Sequence, residues 1–233
     1  MINQIMKIKI LLYNLLVLVF IFASSQTYSL DKEKLEAKQI LQSSELSLKK
    51  LIANSNIKNL KNFLKDSRAI LIFPKVYEGG FIFGAKGGNG LLIIRRGNNK
   101  FSGPFFFSIG GISVGLQVGA KAGEVVMTVM TNRGLKSILK ERVKLGVDVD
   151  VALISQGIGY SAESTPRLAD VYSFSDNSGL FLGGSLEGTY LQPRNDINEA
   201  FHNKRFISDD MLNNSMISED LQNLTDIINR LND

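Results

Sequence analysis

The sequence has no cysteine, so neither a disulfide framework nor a thiolate metal site is open to it. It has one histidine, His202, which excludes a site built from several imidazoles. Its apolar run Ile10–Phe22 is shorter than the roughly 18 residues that a membrane-crossing helix needs. Glycine is missing from both ends of the chain: all 21 glycines lie between Gly79 and Gly188. Glycine is poor inside helices and useful at turns, bulges and close backbone approaches, so a β-rich middle between helical flanks is expected. The 233 residues suffice for one domain with a substantial core, and without disulfides that core alone must hold the fold.

The first 25 residues read as an export signal. Lys7 and Lys9 supply a positive start, Ile10–Phe22 an apolar stretch, and Ala23-Ser24-Ser25 small residues before a cut at Gln26. An uncleaved N-terminal anchor is the alternative. With no cysteine at the cut, a lipid-modified N-terminus is not expected.

From Asp31, Ala37, Leu41, Leu48 and Ile52 share one helix face, and Ile57, Leu60 and Leu64 suggest a second, shorter helix. Near the other end, Ser218 followed by Glu219 and Asp220 signals a helix start, with Leu221, Leu224, Ile228 and Leu231 as its stripe. A short helix is expected between Gly134 and Arg142. Between the flanks lie short strand candidates: Ala69–Phe73, Phe81–Ala85, Leu91–Arg95, Phe105–Ser108, Ile112–Val118, Val125–Thr131, Val147–Ile154, Gly157–Ala162, Val171–Phe174, Leu180–Leu182 and Leu186–Leu191. Their connections are mostly too short for crossover helices. The expected fold is therefore α+β, a curved, largely antiparallel sheet or partial barrel with flanking helices. The boundaries are 1–25 signal, 26–67 helical, 68–204 β-rich domain and 205–233 helical.

Charge is strongly segregated. Gln26–Ser67 carries 8 basic and 5 acidic residues, Arg68–Lys144 carries 12 and 3, and Leu145–Asp233 carries 5 and 14. The two halves either pair with each other or offer a cationic face to an anionic partner.

The stretch Phe81–Gly97, FIFGAKGGNGLLIIRRG, raises the question of a phosphate cradle. Such a cradle needs a helix directly after its glycines. Here LLIIRR follows, a strand, so no nucleotide site is expected. A hairpin turning at Gly87–Gly90 is the simpler reading.

The segments RAILIFPKV (Arg68–Val76), GGFIFGAKGGNGLLI (Gly79–Ile93), GGISVGLQVGAKAGEVVMTVMT (Gly110–Thr131), LGVDVDVA (Leu145–Ala152) and VYSFSDNSGLFLGGSLEG (Val171–Gly188) together resemble the SYLF domain family. That family includes bacterial envelope proteins and eukaryotic phosphoinositide-binding proteins linked to endocytic actin. Three places depart from its pattern: Phe101-Ser-Gly-Pro104 where Trp-Ser-x-Pro is usual, Ile154-Ser-Gln-Gly157, and Phe201-His202-Asn203. The resemblance implies binding of anionic lipid and no catalysis, cofactor or metal.

Other constellations point less far. Asp148 and Asp150 alternate with valines, which places both carboxylates on one strand face, facing solvent or, as a minor reading, calcium. His202 reads as a surface or capping histidine, since no nucleophile motif accompanies it. Phe105-Phe106-Phe107 alternates across a strand, giving burial on both sides or one ring free to enter a lipid surface. Arg95 and Arg96 must point to opposite faces. Arg133, Lys136, Lys140, Arg142 and Lys144 form the densest cationic cluster, on or beside a short helix. The candidate lipid-binding residues are these five, with Lys75, Lys86 and Arg95, and Phe106 as an inserted aromatic. The expected function is non-enzymatic binding of anionic phospholipid head groups, in the periplasm or cell envelope of a bacterium. An envelope scaffold that binds other proteins is the alternative. Nucleic acid is disfavoured by export and by the acidic C-terminal block.

Overall fold

The computed structural model describes residues 30–54, 57, 59–80, 83–97, 99–114, 119–155, 169–176, 189–213 and 217–231. Helix α1 spans 30–53 and α2 Leu60–Asp66. Eight strands follow: β1 Ala69–Gly80, β2 Phe83–Arg95, β3 Phe101–Val114, β4 Gly119–Val129, β5 Val143–Lys144, β6 Val151–Ser155, β7 Val171–Ser175 and β8 Thr189–Pro193. Helix α3, Asn132–Ile138, joins β4 to β5. After β8 come α4 Asn195–His202, α5 Ser208–Asn213, a 3-10 turn Glu219–Leu221 and α6 Gln222–Asn229.

The strands form one curled half-barrel sheet in the order β5-β8-β3-β2-β1-β4-β7-β6. Every pair is antiparallel except β6 with β7. The expected α+β sheet with helical flanks is the observed one. Expected strands fuse in pairs: the described part of Phe81–Ala85 with Leu91–Arg95 in β2, and Phe105–Ser108 with the described part of Ile112–Val118 in β3, while 81–82 and 115–118 lie outside the described residues. Gly157–Ala162, Leu180–Leu182 and the start of Leu186–Leu191 lie outside the described residues.

The core has two layers because the sheet is covered on both faces. Leu71, Phe73, Leu92, Phe105, Phe107 and Met127 face α3 and α5. Ile70, Ile72, Leu91, Ile93, Phe106 and Phe174 face the other helices, meeting Ala37, Leu41 and Leu48 of α1, Leu60 and Leu64 of α2, and Leu224 and Ile228 of α6. Two-sided burial explains why β1 opens with an unbroken apolar run rather than an alternating one. Each such Leu, Ile or Phe contributes about 1.5–3 kcal/mol relative to an exposed one. The helix spacings in the sequence hold, and Ser218 caps the last helical segment by accepting from the Asp220 N–H.

The glycine stretch is a correction. Gly87–Gly90 is not a turn: β2 runs straight through it, paired with β1 from Gly84 to Ile94. The reason lies in β1, which carries a bulge between Ile72 and Tyr77. A Cβ on Gly88 would stand 2.4 Å from the Lys75 carbonyl oxygen, and one on Gly90 2.3 Å from that of Ile72. The glycines let the bulged strand close on its neighbour. Asp148 is the second correction. It lies in a turn, accepting the Lys144 N–H at 2.7 Å, and β6 begins only at Val151. Asp148 and Asp150 therefore do not share a strand face.

Candidate functional site

Helix α3 begins with Thr131, whose hydroxyl accepts the Gly134 N–H at 2.9 Å and donates to the Asp170 carboxylate. Arg133, in the first turn of α3, is held by both Asp170 (2.7 Å) and Asp150 (3.1 Å). Those hydrogen bonds, Asp150 first, raise its already high pKa. Arg133 is thus exposed but neutralised, and it anchors α3 to the strands behind it.

The rest of the cluster divides. Lys136 and Lys140 are exposed on and just after α3. Arg142 is exposed and lays its guanidinium 4.0 Å from the Tyr190 ring centre, which fixes the side chain at the β5–β8 edge. Lys144 is half-buried in β5. Lys136, Lys140 and Arg142 are thus the outward-facing members of the predicted group, while Arg133 is taken up by Asp150 and Asp170 and Lys144 is half-buried.

The other predicted residues lie elsewhere. Lys75 is exposed in the β1 bulge, 4.9 Å from the Tyr77 ring centre, and contact with Tyr77 raises its pKa. Lys86 is buried in β2, and burial lowers its pKa against the raising effect of Glu78. Arg95 donates to the Ser67 carbonyl at 2.8 Å and the Leu64 carbonyl at 2.7 Å, and its guanidinium lies 4.5 Å from the Phe101 ring centre. Phe106 is 0% exposed beneath α4, where Asn198 pairs with its backbone through two hydrogen bonds of 2.7 and 2.9 Å. Lys86 and Phe106 are therefore corrected, since packing buries them, and half-buried Arg95 is committed to capping the end of α2.

Of the surface and capping readings of His202, the surface one is corrected, since the ring is half-buried. Its Nε2 lies 2.8 Å from the Pro104 carbonyl oxygen, with the rings of Phe105, Phe201 and Phe206 around it. Burial depresses its pKa, with the Pro104 carbonyl opposing.

One neighbour of the cationic patch was not singled out from the sequence. Asn203, with φ 52°, ends α4, and Lys204-Arg205-Phe206-Ile207 leads into α5. Ser208 donates to the Leu139 carbonyl, which docks this link against the end of α3. Phe206 turns inward at 5% exposure, and Ile207 stays outside at 60%. Lys204 and Arg205 are exposed beside it. The signal available in the sequence was a cation pair followed directly by two large apolar residues. Among the described residues, no group of three or more acidic or histidine side chains could hold a metal, and no helix is long and apolar enough to cross a membrane.

Residues 110–231 match the family described as Ysc84, Las17-binding protein actin regulator. The chain belongs to this family, the SYLF family of the sequence resemblance. An SH3 domain-containing protein of Schizosaccharomyces pombe is 29% identical over 138 residues, covering 57% of this chain and 32% of that protein. The human SH3 domain-containing YSC84-like protein 1 is 29% identical over 134 residues, 57% of this chain and 39% of the relative. LAS seventeen-binding protein 3 of Saccharomyces cerevisiae is 28% identical over 145 residues, 60% and 31%. The chain thus spans about a third of the length of these relatives. By its description the family is one of binding and regulation.

Proposed function

We propose that this chain is an exported domain that binds the surface of an anionic phospholipid membrane through the corner where α3 meets α5. The supporting observation is an exposed Ile207 docked beside the exposed cations of α3 and of its own link. An apolar tip with cations near it suits a bilayer, since the tip enters the head-group layer while the cations meet lipid phosphates.

Magnitudes decide how such a surface would act. Lys136, Lys140, Arg142, Lys204 and Arg205 are offset by Glu141, Asp209 and Asp210 nearby in the chain, a net charge of +2. At about 1 kcal/mol per basic residue near an anionic surface, charge supplies roughly 2 kcal/mol. Burial of one isoleucine side chain adds about 1.5–3 kcal/mol. Together these reach about millimolar affinity, which is transient attachment. A second membrane contact, such as a retained N-terminal segment, would make it lasting.

Vesicle flotation of the chain at low and high salt tests the reading. Binding to vesicles with anionic lipid, weak binding to neutral ones and loss at 1 M salt are expected, since the Debye length there is about 3 Å. Failure to float with anionic vesicles at low salt rejects it. The second reading, a protein-binding scaffold, is favoured by the family description, which names a protein partner and actin regulation. In that case binding would survive salt and need no lipid.

A further inference from the structure

Two rows of residues cross the sheet on the face that carries Phe106 and α1, beside the part that α1 covers. Tyr77 in β1 stands opposite Gly87 in β2 and Ala122 in β4, and Gly87 stands opposite Gly110 in β3. In the next row Gly79 stands opposite Ala85 and Ala120, and Ala85 opposite Ile112. Directly opposite residues share a face, and so do residues two apart along a strand. None of these eight positions carries a charge. Ile112 is 71% and Tyr77 56% exposed, and the three alanines are exposed as well. A Cβ on Gly87 or Gly110 would meet, among the described residues, only a carbonyl oxygen of a neighbouring strand, at 3.8 and 3.7 Å.

Helix α1 closes one side of this surface. Asn89, the next residue of β2 on the same face, donates to Glu36 of α1 at 2.8 Å. Glu124, the next of β4, holds Lys50 of α1 at 2.7 Å. The helix therefore crosses the strands beside the Tyr77 row. On the other side the strands end, β1 at Gly80 and β3 at Val114. The result is a shelf two rows deep, with the sheet as floor and α1 as wall. Lys75 lies 4.9 Å from the Tyr77 ring centre and is exposed, so its ammonium can stay in water while the ring is covered.

We propose that this shelf receives the same shelf of a second copy of the chain, related by a two-fold axis that runs across the strands between the two rows. Each row then lies over the other row of the second copy. Tyr77 faces Gly79 of the second copy, Ile112 faces its Gly110, and Ala85 and Ala120 face its Gly87 and Ala122. Both large side chains thus meet glycine and no large pair collides. The surface is its own complement, as a two-fold contact requires. Depth agrees as well. A helix is about 10–12 Å across with its side chains, and stacked sheets lie about 10 Å apart. The layer that α1 fills over one half of the face is as thick as the layer a second sheet needs over the other half. The two copies interlock, α1 of each against the strand ends of the other. Identical uncharged surfaces do not repel, whereas a charged partner would lose its water here without a countercharge. The floor measures roughly 19 by 13 Å, four strands by two rows, or about 250 Å². That is well under the roughly 800 Å² per partner of a stable dimer, so the pair is weak and reversible. It stands apart from the α3–α5 corner and does not rest on the membrane reading.

Sedimentation velocity of the full chain over a concentration series up to about 1 mM tests this. A monomer–dimer equilibrium with a Kd between about 10 µM and 1 mM is expected. Ala85→Arg, at an exposed position that faces glycine of the second copy, should leave the unfolding midpoint unchanged and abolish the dimer. Ile112→Ser should raise the dissociation constant about tenfold. Ile207→Ser should leave it unchanged, which separates this surface from the corner. A chain that stays monomeric throughout the series overturns the proposal. So does a dimer that Ala85→Arg and Ile112→Ser leave intact, which would place the association elsewhere. Loss of vesicle flotation in Ala85→Arg, with the unaltered chain monomeric, would also overturn it and make the shelf a lipid contact instead.

Discussion

Arg95 and Arg96 are neighbours in the chain and fasten helices on opposite faces of the sheet. Arg95 donates to the Leu64 and Ser67 carbonyls at the end of α2. Arg96 donates to the Met211 carbonyl at 2.8 Å and to that of Leu212 in α5, and also holds the Ser102 hydroxyl at 2.8 Å. Helix ends leave orphan carbonyls, and a guanidinium satisfies two at once. The single step from β2 to the next residue therefore pins both layers of the molecule.

Arg95→Ala should cost about 1.5–3 kcal/mol of stability, because it removes charged hydrogen bonds to partly buried carbonyls. Urea denaturation reads the loss. Vesicle binding by the remaining folded protein should not change, which separates a capping role from a lipid-binding one.

Gly88→Ala and Gly90→Ala should each destabilise by about 3 kcal/mol, since the new methyl would overlap backbone at both positions, and at Gly90 the Phe73 ring as well. Gly87→Ala is the control. Its Cβ would meet nothing nearer than the Ile109 carbonyl oxygen at 3.8 Å, so a change below about 1 kcal/mol is expected. Equal losses at Gly87 and Gly88 in thermal unfolding would refute the close-approach account.

These glycines also show where sequence reading stopped. Helical spacing at Ala37, Leu41 and Leu48 and the cap at Ser218 are local signals, and they held. The opposed directions of Phe105 and Phe106 followed from strand period alone and held as well. Glycine serves a turn and a close approach equally well, so Gly87–Gly90 could be decided only by the bulge in a different strand. Likewise, five clustered cations did not reveal that Asp170, far along the chain, claims Arg133. Nor could Phe206 and Ile207 be told apart until the contact of Ser208 with Leu139 fixed which of them turns inward.

His202 makes stability depend on pH in a defined sense. Its folded pKa lies below the ordinary value of 6.5, chiefly through burial. The unfolded chain therefore takes up the proton first, and stability falls as pH drops below about 6.5 until the folded pKa is reached. His202→Gln should flatten that segment of the curve in chemical denaturation at graded pH. The chain has no other histidine to blur the effect. An unchanged slope would mean that another group sets it.

Ile207→Ser is the sharpest separation of apolar insertion from charge at the α3–α5 corner. Ile207 is 60% exposed, so its removal should change stability by no more than about 0.5 kcal/mol. If the side chain enters a bilayer, the lost transfer energy of about 1.5–3 kcal/mol weakens vesicle binding by tenfold or more, at any salt concentration. Lys136→Gln with Lys140→Gln should instead weaken binding at low salt and matter little at high salt, because screening has already removed their share. The two variants thus give different salt profiles from adjacent positions. If Ile207→Ser floats with anionic vesicles as the unaltered chain does, the corner holds lipid by charge alone. Its net charge is then too small for more than fleeting contact, and the protein-binding reading gains ground.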